Sequence, residues 1–329
     1  MITDVDGVLL GHWSDEAGKT GCTVVILPPG TTCSGEVRGG APGTREWALL
    51  SPEKTVAHVD AVVLSGGSAF GLAACDGVMG WLAEQGRGVE TPAGKVPIVI
   101  GMVLYDLAVG DPRAHPNREA GYAAASAAKK GPFPTGTVGA GTGATVGKWL
   151  GRRNARPGGI GTATIRDGDL VVSALMAVNA FGDLLEAPAR YASLTTPLNN
   201  GLFKDHLRPL EQRGQRETDN EGAELRYTDN GDYEEPRSSS PISPLEATTI
   251  GVVATNAILD KFGCYLVSQS AHDGLARALE PAHTSVDGDA IVAASAGSYN
   301  APLDTVRFYA ARAVEAAIRD VFKPVSQGS

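Results

Sequence analysis

Thr248-Thr249-Ile250-Gly251-Val252-Val253-Ala254-Thr255-Asn256 opens with two hydroxyls and runs on as an apolar, β-branched segment, the composition of a buried strand. One reading makes the two threonines an ordinary strand entrance with exposed hydroxyls. The other applies when the chain is cut just before Thr248. The freed residue then carries a hydroxyl and an α-amine on one backbone unit, and that amine, with an ordinary pKa of about 7.7–8.0, serves as a base near neutrality. Such a pair is one way to activate a weak hydroxyl nucleophile.

Immediately upstream, from about residue 204 to 244, the chain is rich in Arg, Glu, Asp, Asn, Ser and Pro and has almost no apolar periodicity. A segment of this kind is expected to be disordered or laid loosely over the surface, where a chain cut is easily accommodated. The rest is globular in composition: 43% of the 329 residues are hydrophobic, as in ordinary folded domains. The 42 glycines cluster beside apolar runs, which points to tight turns and close backbone approach.

A net charge of −9 argues against a nucleic-acid partner. No run of about 18 apolar residues appears, and the start Met1-Ile2-Thr3-Asp4-Val5-Asp6 lacks a basic, apolar leader, so neither a membrane partner nor secretion is expected. Cys22, Cys33, Cys75 and Cys264 lack metal-ligand spacing and read as reduced packing residues. The expectation is a cytoplasmic protein with no metal.

Working outward from the Thr248 strand, residues 162–166 and 170–178 flank Asp167-Gly168, a strong hairpin turn signal. The second strand ends at Asn179-Ala180-Phe181-Gly182-Asp183, and Asn179 there is either a turn former or an amide aimed into a site. Residues 60–64 form a buried strand that runs through Ser65-Gly66-Gly67-Ser68-Ala69-Phe70-Gly71-Leu72 into a helix ending near Gln85, stopped by Gly86. That corner can bind an anion at a helix start, or its small residues serve close helix–sheet packing, the favoured reading. Residues 96–105 read as a strand and 117–130 as a small-residue helix. Downstream, 260–280 is an amphipathic helix whose His272 reads as a packing or surface residue; a strand over 290–296 and a helix over 303–322 follow. Strands and helices mix without regular βαβ repetition, which predicts a single layered α+β domain over 1–329.

Three loops remain. Gly139-Ala140-Gly141-Thr142-Gly143-Ala144-Thr145-Val146-Gly147-Lys148 is no P-loop, because three residues separate Gly143 from Gly147 and Trp149 follows Lys148; it misses the dinucleotide pattern as well. Arg38-Gly39-Gly40-Ala41-Pro42-Gly43-Thr44-Arg45-Glu46 is a glycine-proline loop, solvated or part of a site. Asp287-Gly288-Asp289 places two carboxylates two apart at a strand entry. Either they form a turn, or alternation sets both on one face, where they repel unless a cation such as Lys148 lies near.

Taken in order, the Arg38–Glu46 loop, the Ser65–Leu72 corner, the glycine loop ending in Lys148, Val178-Asn179-Ala180-Phe181-Gly182-Asp183, the Thr248 strand and Asp287-Gly288-Asp289 resemble the L-aminopeptidase D-amidase/D-esterase (DmpA-type) family. Within it the pattern most resembles the nylon-oligomer endo-hydrolase branch; the β-aminopeptidase branch carries Ser and Glu at the two acidic positions. The resemblance implies an N-terminal-nucleophile hydrolase with an αββα sandwich. Its precursor cuts itself between Ala247 and Thr248 into a large fragment, 1–247, and a small one, 248–329. Thr248, six positions before Ala254, is implied as nucleophile with its own α-amine as base. Asn179 is implied as oxyanion-hole amide, and Lys148, Asp287 and Asp289 as the set that positions and polarises the Thr248 amine and hydroxyl. The family typically has Asn or Gly where this chain has Ala247. No metal or organic cofactor is implied. The implied partner is a small amide or oligoamide, such as 6-aminohexanoate oligomers; the alternatives are an exo-acting aminopeptidase on short or β-peptides, and a non-catalytic ligand-binding or structural member. The family also implies a homo-oligomer, a tetramer.

Overall fold

A computed structural model describes residues 1–185 and 247–323. The segment expected to be disordered, 204–244, lies outside the described residues. Ten strands build two five-stranded sheets. The first uses β1 (Leu9–Asp15), β2 (Thr20–Ile26), β4 (Thr44–Arg45), β5 (Ala61–Ser65) and β6 (Val99–Val103). The second uses β3 (Thr32–Val37), β7 (Gly159–Asp167), β8 (Leu170–Asn179), β9 (Thr248–Ala257) and β10 (Ala290–Tyr299). Their orders are β1-β2-β5-β6-β4 and β7-β8-β9-β10-β3. Among the described residues four α-helices accompany them: α1 (Ala74–Glu84), α2 (Arg118–Ser126), α3 (Lys261–Ala278) and α4 (Leu303–Asp320).

β2 and β8 are buried at every position, and β9 at all but Asn256, as strands covered on both faces must be. Their alternate residues face different layers. Val25, Val62, Leu64, Ile100 and Met102 of the first sheet meet Leu175, Ala177, Ile250, Val252 and Val292 of the second in one middle core. The opposite face of the first sheet, with Val24, Val63 and Val99, packs under α1 and α2. The opposite face of the second, with Val172, Met176, Val253 and Ile291, packs under α3 and α4. Helix, sheet, sheet and helix thus stack as the expected αββα sandwich. The α1–α2 pair crosses so closely that a Cβ on Gly77 would sit 1.9 Å from the Arg118 carbonyl, and one on Gly121 1.9 Å from that of Ala74.

Most neighbouring strands are antiparallel, but β5–β6 and β9–β10 run parallel. Each parallel pair is joined through a helix, α1 or α3, because parallel strands need a crossover. Two βαβ units are therefore present, one per sheet, within a sequence that shows no regular alternation. The helices match their predicted stretches with shorter ends. Asn117 and Asp260 cap α2 and α3 by accepting the Ala120 and Gly263 N–H groups, so the helices start one residue later than the periodicity suggests. The strand predicted over 96–105 is limited to Val99–Val103.

Candidate active site

β8 and β9 pair antiparallel with Asn179, the last residue of one, opposite Thr248, the first of the other. The site forms at this end of the second sheet, where the loop leading into β10 passes beside Ala247. Ala247 and Asp287 form a parallel bridge, and the Gly288 N–H donates at 3.1 Å to the Ala247 carbonyl. The same N–H donates at 3.1 Å to Thr248 Oγ1, and the Thr248 hydroxyl donates to the Ala247 carbonyl. One backbone donor is thus shared between the hydroxyl and the carbonyl of the bond that precedes it. Gly288 must be glycine for this: a Cβ there would lie 2.7 Å from Thr248 Oγ1 and 2.7 Å from the Ala41 carbonyl.

Strand alternation separates the two threonines. Thr249 is fully buried, its N–H donates to Asp289 Oδ1 at 2.7 Å, and its hydroxyl has no partner among the described residues. Thr248 is the one whose hydroxyl faces the peptide bond and Gly288.

The Asn179 side chain is fully buried and bonded on both atoms. Its Oδ1 accepts the Thr145 N–H at 2.9 Å and Lys148 Nζ at 3.0 Å, and its Nδ2 donates to the Tyr105 carbonyl at 2.8 Å. Two donors on Oδ1 fix which atom is which, and the second hydrogen of Nδ2 has no partner among the described residues. The glycine loop supplies both donors. Lys148 also donates to the Thr145, Asn179 and Ala180 carbonyls. Burial pushes its ammonium down to about 7, against the opposing pull of Asp287 and Asp106. Lys148, named from the sequence as a cation that could lie near the acidic pair, gives its hydrogens to carbonyls and to Asn179 and feels Asp287 through space.

Asp287 and Asp289 lie in the turn before β10, so strand alternation does not govern them. Asp287 accepts the Phe181 N–H at 3.1 Å, the Thr284 N–H at 2.9 Å and the Thr284 hydroxyl at 2.5 Å. Burial, then the charge of Asp289, pushes its carboxyl up to about 6. Asp289 accepts His283 Nδ1 at 2.8 Å and the His283 N–H at 3.1 Å on the oxygen not used by Thr249. All five predicted residues converge on Ala247-Thr248, but the three charged ones reach Thr248 through backbone groups and Asn179.

Three contributors go beyond the five predicted residues. The Arg38–Glu46 loop is no solvated loop: Arg38, Gly40 and Ala41 donate backbone bonds to the Asp289, Thr284 and Asp287 carbonyls, closing over the acidic turn. His283 is the direct partner of Asp289. Asp106 is the third, its carboxyl pushed up to about 6 by burial. Its Oδ1 accepts the Gly67 N–H at 2.7 Å, so the Gly66-Gly67 corner does hold an anion, the protein's own. His272, read as a packing residue, is fully buried beside His283. Among the described residues no group of three or more His, Cys, Asp or Glu could hold a metal ion, and no helix is long and apolar enough to cross a membrane.

Residues 1–327 match Peptidase family S58. A Mycobacterium leprae protein named as an uncharacterized aminopeptidase is 42% identical over 316 residues, covering 91% of this chain and 79% of that protein. A 6-aminohexanoate-oligomer endohydrolase of an Agromyces species is 28% identical over 301 residues, 91% of this chain and 76% of that one. The L-aminopeptidase D-Ala-esterase/amidase of Ochrobactrum anthropi, described as a variant of the Ntn-hydrolase fold, superimposes with a TM-score of 0.65 at 19% identity, covering 97% and 85% of the two chains.

Proposed function

The chain belongs to peptidase family S58 and is an amide-bond hydrolase, and from that premise we propose that Thr248 first cuts its own chain and then serves as N-terminal nucleophile. The observation that carries this reading is the shared Gly288 N–H, set on both the Thr248 hydroxyl and the Ala247 carbonyl. In the first step Thr248 Oγ1 attacks the Ala247 carbonyl carbon, and the oxygen gains charge where Gly288 already donates. The C–N bond breaks as the C–O bond forms, the hydroxyl proton passes to the leaving nitrogen, and an ester joins Ala247 to Thr248. Water hydrolyses that ester to the Ala247 carboxylate and the free Thr248 hydroxyl, dividing the 1–329 domain into fragments 1–247 and 248–329, the second headed by the α-amine released in the first step.

In turnover the α-amine takes the Oγ1 proton as Oγ1 attacks a substrate amide. The free Nδ2 hydrogen of Asn179 meets the oxyanion, a contribution of about 3–4 kcal/mol for one such donor. The protonated amine returns its proton to the leaving nitrogen, and water then releases the acyl group. Lys148 holds Asn179 Oδ1 throughout, so the amide cannot turn over. The substrate class we propose is the ω-amino-acid oligoamide and related short peptides, supported by the acidic pair Asp287 and Asp289 and by the named activity of the Agromyces relative. Exo-acting aminopeptidase activity is the second reading, favoured by the names of the mycobacterial relatives.

Assembly as a homo-oligomer, a tetramer by resemblance, fits the exposed Phe262 and Phe308 on α3 and α4. A cytoplasmic location fits four cysteines buried as free thiols. The intact mass of freshly purified protein tests the central reading. Two fragments are expected, the smaller beginning at Thr248, and a Thr248→Ala protein should stay whole and inactive. A single uncut species with full activity would overturn the mechanism.

A further inference from the structure

Asp287 and Asp289 are equally buried, each 1% exposed, yet their partners differ in kind. Asp287 has only neutral donors, the Phe181 and Thr284 N–H groups and the Thr284 hydroxyl. Asp289 has the imidazole of His283 at 2.8 Å, and the His283 backbone N–H on the same oxygen at 3.1 Å. A carboxylate this far from water needs a strong donor close by, and Lys148 is committed to carbonyls and Asn179.

His283 is held there against its backbone preference. Its φ of +56° is left-handed, which is uncommon for a residue with a side chain and persists when surrounding contacts demand it. The contacts are specific. The next residue, Thr284, accepts Gly40 N–H on its carbonyl and gives both its donors to Asp287. The far edge of the His283 ring packs on His272, centroids 4.9 Å apart at 67°, and its Nε2 is buried without a partner among the described residues. His272 is tied by Nε2 to the Glu36 carbonyl at 2.9 Å, and burial keeps its pKa down at about 4. The other charged groups around this pair are Asp287, Glu36 and Arg38, the last paired with Glu36 at 3.0 Å.

We propose that His283 is a positioning residue for both self-cleavage and hydrolysis: by holding Asp289 Oδ2 it fixes Oδ1 on the Thr249 N–H and so sets Thr248 Oγ1 beside Gly288. The chain of contacts runs His283 Nδ1, Asp289, Thr249 N, Thr248. His283 touches no reacting atom. The inference rests on Thr248 as nucleophile.

Self-cleavage of fresh precursor, followed on a denaturing gel, reads the effect without a chosen substrate. His283→Gly relieves the backbone strain and deletes the ring, so it should fold and cut about 10- to 100-fold more slowly, the loss of one hydrogen bond to a buried charge. His283→Asn tolerates the same φ and offers an Nδ2 donor near the position of Nδ1, so it should cut within about threefold of wild type. His283→Asp has the shape of Asn but brings a carboxylate to Asp289, and it should cut as slowly as the glycine variant or more so. Wild-type rates in the Gly or Asp variant overturn the inference. So do equal losses in the Asn and Asp variants, which would mean that packing of the ring, and not its donor, is what matters. If the Gly variant does not fold, the Asn–Asp comparison decides alone. A Thr248→Ala precursor that still cuts overturns the nucleophile reading and this inference together; an inert one beside a fast His283→Gly overturns only this inference.

Discussion

Replacing Gly288 by Ala tests the proposed chemistry at its narrowest point. The backbone at Gly288 lies outside the left-handed region, so alanine brings no conformational strain and the effect is steric. A Cβ there would sit 2.7 Å from both Thr248 Oγ1 and the Ala41 carbonyl, whereas ordinary van der Waals contact begins at 3.4 Å, so the neighbours must give about 0.7 Å. The Ala41 side is not free to yield, because Ala41 donates its own N–H to the Asp287 carbonyl at 2.8 Å. Thr248 is β-branched and stiff at χ1, so moving its hydroxyl means leaving the Gly288 N–H. A misplacement approaching 1 Å costs on the order of 10²-fold in rate, so self-cleavage should slow by about 30- to 100-fold. Overpacking should lower stability by about 1–3 kcal/mol. Maturation is followed on a denaturing gel after rapid purification, and stability by urea unfolding. A Gly288→Ala precursor that matures at the wild-type rate would refute the claim that Gly288 and Thr248 Oγ1 share one tight site.

Thr249→Val removes a buried hydroxyl that has no partner among the described residues while keeping the N–H on Asp289; stability should be unchanged or up to about 1 kcal/mol higher, with normal self-cleavage, and a dead Thr249→Val would shift the nucleophile by one residue. Asn179→Ala should lower kcat by about 10²–10³-fold with a smaller change in KM, measured on a short oligoamide, and a wild-type kcat would remove Asn179 from the oxyanion role. Lys148 has a folded pKa of about 7 against an ordinary 10.5, so between those values the unfolded chain holds the extra proton. Its burial cost is complete below pH 7 and is relieved as pH rises, giving about 1–2 kcal/mol of added stability from roughly pH 7 to 8.5. Urea unfolding of uncut Thr248→Ala protein should show that slope and Thr248→Ala/Lys148→Met should lose it; equal slopes would contradict the cause assigned.

What the sequence made legible was whatever has a local signature. The β9 strand, the Asp167-Gly168 hairpin and the helices announce themselves by period and by turn residues, and six short motifs in order carried the site. Asp106, His283 and the closure of the Arg38–Glu46 loop over the acidic turn were not legible. Asp106 and the loop act through backbone pairings remote in sequence, such as Ala41 N–H on the Asp287 carbonyl, while the His283–Asp289 contact depends on a left-handed backbone at His283; neither leaves a pattern in the chain. The acidic pair shows the same limit. Spacing left a turn and a strand face both open, and the observed turn gives each carboxylate its own donors, for Asp289 the imidazole six residues upstream.

The position of β9 and β10 inside the second sheet has a consequence for inheritance of the fold. Residues 248–323 supply two interior strands, flanked by β8 on one side and β3 on the other, and both helices that cover them. The first sheet lies wholly in 1–247, but neither piece of a chain divided at Thr248 owns the whole second sheet or the core beneath α3 and α4. Separating the two pieces would open the second sheet at both the β8–β9 and the β10–β3 boundaries. Covalent continuity is needed only once, during folding, and afterwards interleaved strands do the work of the missing peptide bond.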